Sequence, residues 1–274
     1  MLSVNSNYGA SVALQSLNGT NKELSQVQNR ISTGFKVASA RDNGAVYAIA
    51  EGQRARVSSV AAVKDGIDRA SSTIDVALSA GKAVGDILQK LKAKAAAAQA
   101  DDLSAEQRDV LQVDFSNLRL QIDTIANAAQ FNGANLALGD TLSVLTSDLT
   151  GATPFAVQGA DYSLAGSILS PLATLDISTS TTTAATASTA VDTAITALNE
   201  SLATMGSQAG ALDVQNDFLS KLSDVIEQGI SNLVDADLAK ESARLQSLQI
   251  KQQLGAQALS IANQTPQLLL SFFR

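Results

Sequence analysis

The sequence predicts a mainly α-helical protein, built as a long antiparallel helical hairpin or coiled-coil bundle with a small β-hairpin region in the middle. Three observations predict this class. Apolar residues recur at helical spacing near both ends, the first proline is Pro154, and turn signals concentrate in the middle of the chain. Because helices at both ends of a chain can pair antiparallel, we expect the two halves to form one bundle.

Apolar heptads predict the helices of the N-terminal half. Leu17, Leu24 and Ile31 recur seven residues apart, which is the spacing of a helix that packs along one face. Gly34 predicts the end of this helix, and Ser104 begins the pattern of a capping box. The predicted helices cover 8–33, 43–100 and 104–129, with a connector at 34–42.

The middle of the chain predicts strands and turns. Asn132-Gly133 is a turn signal, and short runs at 141–145 and 155–158 have the composition of a β-hairpin. The predicted β-hairpin region is therefore about 131–177.

Helix returns in the C-terminal half. Leu198, Leu202 and Leu212 belong to an apolar series at helical spacing. This series predicts helix from about 187 to 230 and again from 232 to 263.

Both ends of the chain lack charged side chains. The first charged side chain is Lys22, and none lies between Lys251 and Arg274. Ends of soluble domains are usually polar, so two uncharged helical ends predict packing against each other and against neighbouring copies. The apolar residues predicted to pack there are Leu14, Leu17, Leu24, Val27, Ile31, Leu238, Leu245, Leu248, Leu259, Ala262 and Leu269.

The composition removes the commonest active sites. The chain has no Cys and no His, which excludes disulfides, thiolate metal sites and Ser-His-Asp triads. The paired carboxylates at 101–102 and at 235 and 237 fit solvated or helix-capping roles better than acid–base chemistry. We therefore expect no enzyme activity and no cofactor. The net charge of −7 argues against binding of nucleic acid.

The sequence predicts neither a signal peptide nor a membrane span. The first residues lack a basic region followed by a continuous apolar stretch. The uncharged segment 252–273 is long enough to cross a bilayer, but its Gln and Asn side chains are costly in hydrocarbon. A contact surface between helices is the favoured interpretation of this segment.

Two regions of the chain resemble the bacterial flagellin family. The N-terminal region of resemblance consists of NRISTG at 29–34 and SARDN at 39–43. The C-terminal region consists of NLVDADLAKESARLQSL at 232–248, QQLGAQALSIAN at 252–263 and LSFFR at 270–274. With the helical registers, the likeness covers roughly 1–130 and 185–274.

The resemblance implies a division into domains. In flagellins the paired terminal helices form an inner domain that lines a narrow channel, and the next helices form a bundle with a β-hairpin. Carried over to this chain, 1–33 with 234–274 is the inner domain, 43–233 is the bundle, and 34–42 is the connector. The chain looks like a short form without large outer domains.

The resemblance also implies a function and partners. A flagellin is a structural subunit that polymerises with copies of itself into the extracellular flagellar filament, which serves swimming motility. It leaves the cell through the flagellar export apparatus with an export chaperone and without a cleavable signal peptide. It adds beneath a filament cap, beyond the hook-junction proteins. Neither nucleic acid nor a membrane is an expected partner.

Two other classes of protein remain open on the sequence. A hook–filament junction protein has similar terminal helices but does not usually form long filaments. An unrelated coiled-coil surface stalk would carry a secretion signal or an anchor. A protease-bearing flagellin would need a His-Glu-x-x-His zinc motif, which a chain without histidine cannot form.

One stretch departs from the family pattern. Flagellins that the animal flagellin-sensing Toll-like receptor detects show Leu-Gln-Arg-aliphatic-Arg-Glu-Leu-Ala in the corresponding helix. Here Gln89 matches, but Lys90 and Lys92 stand in place of Arg. Ala93 stands in place of Glu and Lys94 in place of Leu. Because Lys lacks the bidentate geometry of Arg, the departure predicts weak or absent receptor activation.

The segment 178–189 consists of Ser, Thr and Ala only. Many flagellins carry O-linked glycans on outward hydroxyls, and an unmodified solvated linker is an equally good interpretation. The candidate glycosylation sites are Ser178, Thr179, Ser180, Thr181, Thr182 and Thr183.

Overall fold

Long helices make up most of the protein. The computed structural model describes the backbone of residues 7–149 and 151–271, and the side chains of these ranges up to residue 264. The elements in these ranges are α1 (Tyr8–Thr33), α2 (Gly44–Ala97), α3 (Ala105–Ala128), β1 (Thr141–Val144), β2 (Phe155–Gln158), a short 3-10 helix (Ser170–Leu172), α4 (Thr181–Val234) and α5 (Leu238–Ser271). This confirms the mainly α class with a small β-hairpin.

Local capping explains why α1 ends and α3 begins where the sequence predicts. Gly34 has φ +76°, a left-handed conformation that ends α1, and its N–H donates to the carbonyl of Arg30. At the start of α3, the Ser104 hydroxyl accepts from the N–H of Gln107, and the Gln107 side chain accepts from the N–H of Ser104. Both signals are readable in the sequence because they depend on neighbours within three or four residues.

Helix α4 begins at Thr181, about six residues before the predicted start. The Ser180 hydroxyl accepts from the N–H of Thr183, and the Thr183 hydroxyl oxygen accepts from the N–H of Ser180. This reciprocal cap starts the helix inside the hydroxyl-rich segment. Ala184 and Ala187 are fully buried, so the segment contributes to the core.

The contacts of the chain divide it into two compact units. The first unit comprises the segments up to Val57 and from Asp224 onward, and the second unit is Ser58–Ser223. The divisions fall within α2 and α4. The domain bounds implied by the family resemblance stay a prediction.

The second unit has a continuous apolar core between α2, α3, α4 and the β-hairpin. Gly81 permits close packing there, since a Cβ on it would lie 2.5 Å from Leu202 Cδ2 and 3.2 Å from Tyr162 Cε2. In the hairpin, β1 pairs antiparallel with β2 and directs Val144 and Val157 into the core. Other fully buried side chains are Ile67, Ile74, Leu88, Leu91, Phe115, Ile122, Leu136 and Leu198.

The first unit is built on the pairing of α1 with α5. Val27 and Leu248 are the buried apolar residues among the described side chains of these two helices. Polar contacts along the antiparallel pair fix its register: Asn7 Nδ2 donates to the carbonyl of Ala262 (2.7 Å), Gln252 Nε2 donates to Asn21 Oδ1 (2.8 Å), and ion pairs join Arg30 to Glu241 (3.0 Å) and Arg244 to Glu23 (3.7 Å).

The connectors at the end of this helix pair also bond to each other. The N–H groups of Lys36 and Val37 donate to the carbonyl of Val234, and the N–H of Ala236 donates to the carbonyl of Gly34. The segment after α1 is thereby tied to the short link between α4 and α5. This link covers residues 235–237, a few residues beyond the predicted break in the helix.

The two ion pairs should differ in their contributions to the pairing of α1 with α5. The side chains of Arg30 and Glu241 are 26% and 11% exposed, and the Glu241 Oε2 atom has no hydrogen-bond partner among the described residues. Arg30→Ala would leave a nearly buried carboxylate unpaired, so we expect the free energy that holds α1 against α5 to fall by about 1–3 kcal/mol. Arg244→Ala removes an ion pair whose side chains are about half exposed, so we expect the same free energy to fall by less than about 1 kcal/mol.

Amide hydrogen exchange in α1 measures both losses, because exchange there reports local opening of the pair. Equal loss of protection in the two variants would contradict the assignment of the Arg30–Glu241 pair as the more important contact.

Candidate self-assembly surface

The residues predicted to pack at the chain ends divide between two kinds of position. Val27 and Leu248 are buried where α1 contacts α5, whereas Leu14 and Leu238 are about half exposed. The partly buried members of the set are Leu17, Leu24, Ile31, Leu245, Leu259 and Ala262. The side chain of Leu269 lies outside the described residues. Most of the described members of the set are therefore at least partly buried within one chain.

Helix α5 has a second apolar face that the sequence analysis did not single out. Ile250 and Leu254 are each 58% exposed and lie one turn apart, and Ile261 is exposed on the same side of the helix. At 100° per residue, this side is opposite the side that carries Leu248 and Leu259. A second apolar series, offset by half a turn from the leucine seam, is the signal that could have identified it.

The N-terminal part of α1 also presents apolar side chains to solvent. Tyr8 and Val12 are exposed and lie one turn apart. No charged side chain occurs on α1 before Lys22, or in the described part of α5 after Lys251. Exposed apolar surface without nearby charge is characteristic of interaction sites.

The chemistry of this surface is that of packing. Among the described residues, no group of three or more His, Cys, Asp or Glu side chains is placed to hold a metal ion. None of the helices in the described part of the chain is sufficiently long and apolar to cross a membrane.

The stretch that departs from the receptor-recognition pattern lies on α2. Gln89, Lys90, Lys92 and Ala93 are exposed, and Lys94 is partly buried. Two of the lysines form ion pairs within the chain. Lys92 Nζ is 2.6 Å from an oxygen of Asp192, and Lys94 Nζ is 2.6 Å from an oxygen of Asp114.

The hydroxyl-rich segment has few hydroxyls that point freely to solvent. The Ser178 hydroxyl donates to Asp176 Oδ1, and the hydroxyls of Ser180 and Thr183 form the cap of α4. Thr179 and Thr182 are the exposed members of the candidate set, and Thr181 is partly buried. Glycosylation of this segment stays a prediction.

Comparison with known proteins identifies the family. The model of the bacterial flagellin N-terminal helical region matches residues 4–140, and the model of the bacterial flagellin C-terminal helical region matches residues 188–273. Flagellin FljK of Caulobacter vibrioides is 48% identical over 272 residues, which cover 99% of this chain and 98% of that protein. A flagellin of Brucella melitensis is 35% identical over 283 residues, which cover both chains completely.

Among solved structures, a putative flagellar hook-associated protein from Vibrio parahaemolyticus has a similar fold. The TM-score is 0.60, with 13% identity, and the match covers 71% of this chain and all of that one. At this identity the likeness shows the fold alone. The family models and the relatives decide the function: the chain belongs to the bacterial flagellin family and is a structural subunit of the extracellular flagellar filament.

Proposed function

We propose that the uncharged ends of α1 and α5 hold this subunit in the filament by packing against neighbouring copies. The observation that carries this proposal is the pair formed by Leu254, in the uncharged end, and Ile250, just before Lys251, which α5 exposes on the side opposite its contact with α1. In the part of α5 whose side chains are described, one apolar side is covered within the chain. A second copy of the same chain is the occupant that a self-polymerising subunit supplies for the other side.

The energy of such a contact is modest for one pair of copies and large for a polymer. Full burial of one exposed Ile or Leu side chain contributes about 1.5–3 kcal/mol. Because Ile250 and Leu254 are each already about half buried, covering both contributes about 1.5–3 kcal/mol in total. Association has an entropic cost, which a single small contact does not offset. In a filament every subunit repeats the contact, and a contact between unlike surfaces that does not close gives an open helix.

The same proposal covers the remaining steps of assembly. The chain acts as a structural protein and catalyses no reaction. It reaches the filament through the flagellar export apparatus with an export chaperone and adds beneath the filament cap, beyond the hook-junction proteins. Family membership supports this export and assembly route.

Electron microscopy of purified protein seeded with filament fragments tests the packing proposal. We expect long filaments from the full chain and none from a chain truncated after Lys251, which lacks the last part of α5. Ile250→Ser with Leu254→Ser should raise the subunit concentration required for elongation about tenfold or more, because each 1.4 kcal/mol changes an equilibrium constant tenfold. The matched control is Ile250→Leu with Leu254→Met, which keeps the face apolar and should elongate like the unchanged chain.

Two outcomes would contradict the proposal. A full chain that stays monomeric with every seed and precipitating salt would favour the hook–filament junction alternative. Normal filaments from the serine variant would remove the assigned role of the exposed α5 face while leaving the filament function intact.

The receptor-recognition stretch leads to a separate expectation. The chain should activate the animal flagellin-sensing Toll-like receptor weakly or not at all, because Lys90 and Lys92 replace Arg and Ala93 replaces Glu. A reporter-cell assay measures this, with the triple variant Lys90→Arg, Lys92→Arg, Ala93→Glu as the comparison. Full potency of the unchanged chain would show that the departures do not matter.

A further inference from the structure

A groove on the second unit has apolar walls and one cationic side chain. It has a volume of about 360 Å³ and lies between α2, the turn at 131–134 and β1. Val63, Leu142 and Val144 contribute to its walls, and the exposed side chains of Phe131 and Leu145 lie at its edge. Of the described residues that line it, Arg69 is the charged one.

The guanidinium of Arg69 has no carboxylate partner within the described chain. Its Nη2 atom would lie 3.8 Å from a Cβ on Gly66, so the cationic group lies along α2 beside the groove. An exposed cation next to uncovered apolar walls favours a partner that combines apolar side chains with a carboxylate.

Helix α3 presents a surface of that composition. Val110, Val113 and Leu120 are each more than half exposed and lie along one side of the helix. Asp109 lies one turn before Val113 on this side and is exposed. Within the described chain no cation pairs with Asp109. We call these four residues the α3 face.

The groove and the start of the α3 face lie at opposite ends of the second unit. Arg108 Nε donates to the carbonyl of Ala98 (3.3 Å), and Lys94 pairs with Asp114, so the start of α3 is level with the end of α2. Arg69 is 29 residues before Ala98 on α2. At about 1.5 Å per residue, Asp109 and Arg69 are therefore about 40 Å apart along the helix.

We propose that the groove of one copy receives the α3 face of the next copy, with Asp109 paired to Arg69 across the contact. The inference rests on the filament function of the chain. Because the two surfaces differ and lie at opposite ends of one unit, the contact joins copies head to tail, and such a contact gives an open filament when the rotation between copies does not close a ring. It supplies the polymer with a second contact, independent of α1 and α5.

An alternative occupant of the groove would give a different product. Val214 and Phe218 on α4 are also exposed, beside Asp217. They lie at the same end of the unit as the groove, since the Gln215 side chain donates to the carbonyl of Thr146 (2.5 Å). If this side of α4 filled the groove of another copy, two copies would meet by the same ends and form a closed pair.

Charge reversal in full-length chains separates these arrangements. Arg69→Glu and Asp109→Arg should each slow seeded elongation about tenfold or more, because each variant places like charges across every contact. A 1:1 mixture of the two variants should recover elongation. In an alternating order, the two substituted side chains would meet as an opposite-charge pair at one contact, and the original Arg69 and Asp109 would meet at the next. The double variant should recover elongation by itself.

Matched controls use exposed charges of the same unit that lie outside both surfaces. Lys82→Glu and Asp101→Arg should elongate like the unchanged chain, alone and mixed. Helical content by circular dichroism verifies that all variants are folded. Because the rescue requires two different copies, a folding defect within one chain cannot produce it.

The possible failures point to different conclusions. If the unchanged chain elongates and both single variants elongate equally well, the groove contact is overturned and the filament function stands. The same holds if the variants fail and neither mixture nor double variant recovers. Recovery of Arg69→Glu by Asp217→Arg instead of Asp109→Arg would assign the groove to α4. An unchanged chain that never elongates contradicts the filament function, and this inference with it.

Discussion

The first unit depends on one long-range contact, the pairing of α1 with α5. The two helices lie at opposite ends of the chain, so their contact closes a loop of more than 200 residues, as the hydrogen bond from Asn7 to Ala262 illustrates. Most helical stability in proteins comes from tertiary packing, and among the described side chains the pair buries few large apolar groups besides Val27 and Leu248. Its register is set by side-chain hydrogen bonds and ion pairs, while its apolar surface remains only partly covered.

The second unit shows the opposite balance. Its core is continuous, includes Phe115, Ile122 and Leu198, and uses Gly81 to bring backbone and side chains close together. A unit with such a core has the burial that an independently stable fold requires. The first unit has far fewer buried apolar side chains among its described residues. This difference is the physical basis for expecting the first unit to depend on neighbouring copies for its apolar burial, whereas the second unit has its own core and would only bind them at its surface.

Local signals made much of the fold predictable, and tertiary contacts account for the rest. The end of α1 at Gly34 and the start of α3 after Ser104 follow from capping chemistry that involves a few neighbouring residues. The start of α4 was placed too late because Ala184 and Ala187 look like part of a polar segment until a core covers them. The heptad pattern predicted packing at the chain ends but could not show that Ile250 and Leu254 remain uncovered. The groove at Arg69 could not be predicted, since folding brings the turn at 131–134 beside α2.

The absence of charge on the ends of α1 and α5 has a consequence for the surroundings in which a polymer can persist. Attraction between charges weakens as dissolved ions accumulate, over distances of about 10 Å at 0.1 M salt, whereas apolar contact is not screened in this way. Cooling, by contrast, weakens apolar contact because its driving force near room temperature is largely entropic. A contact between copies that is built from uncharged faces is therefore less sensitive to charge screening by salt and is weakened by cooling.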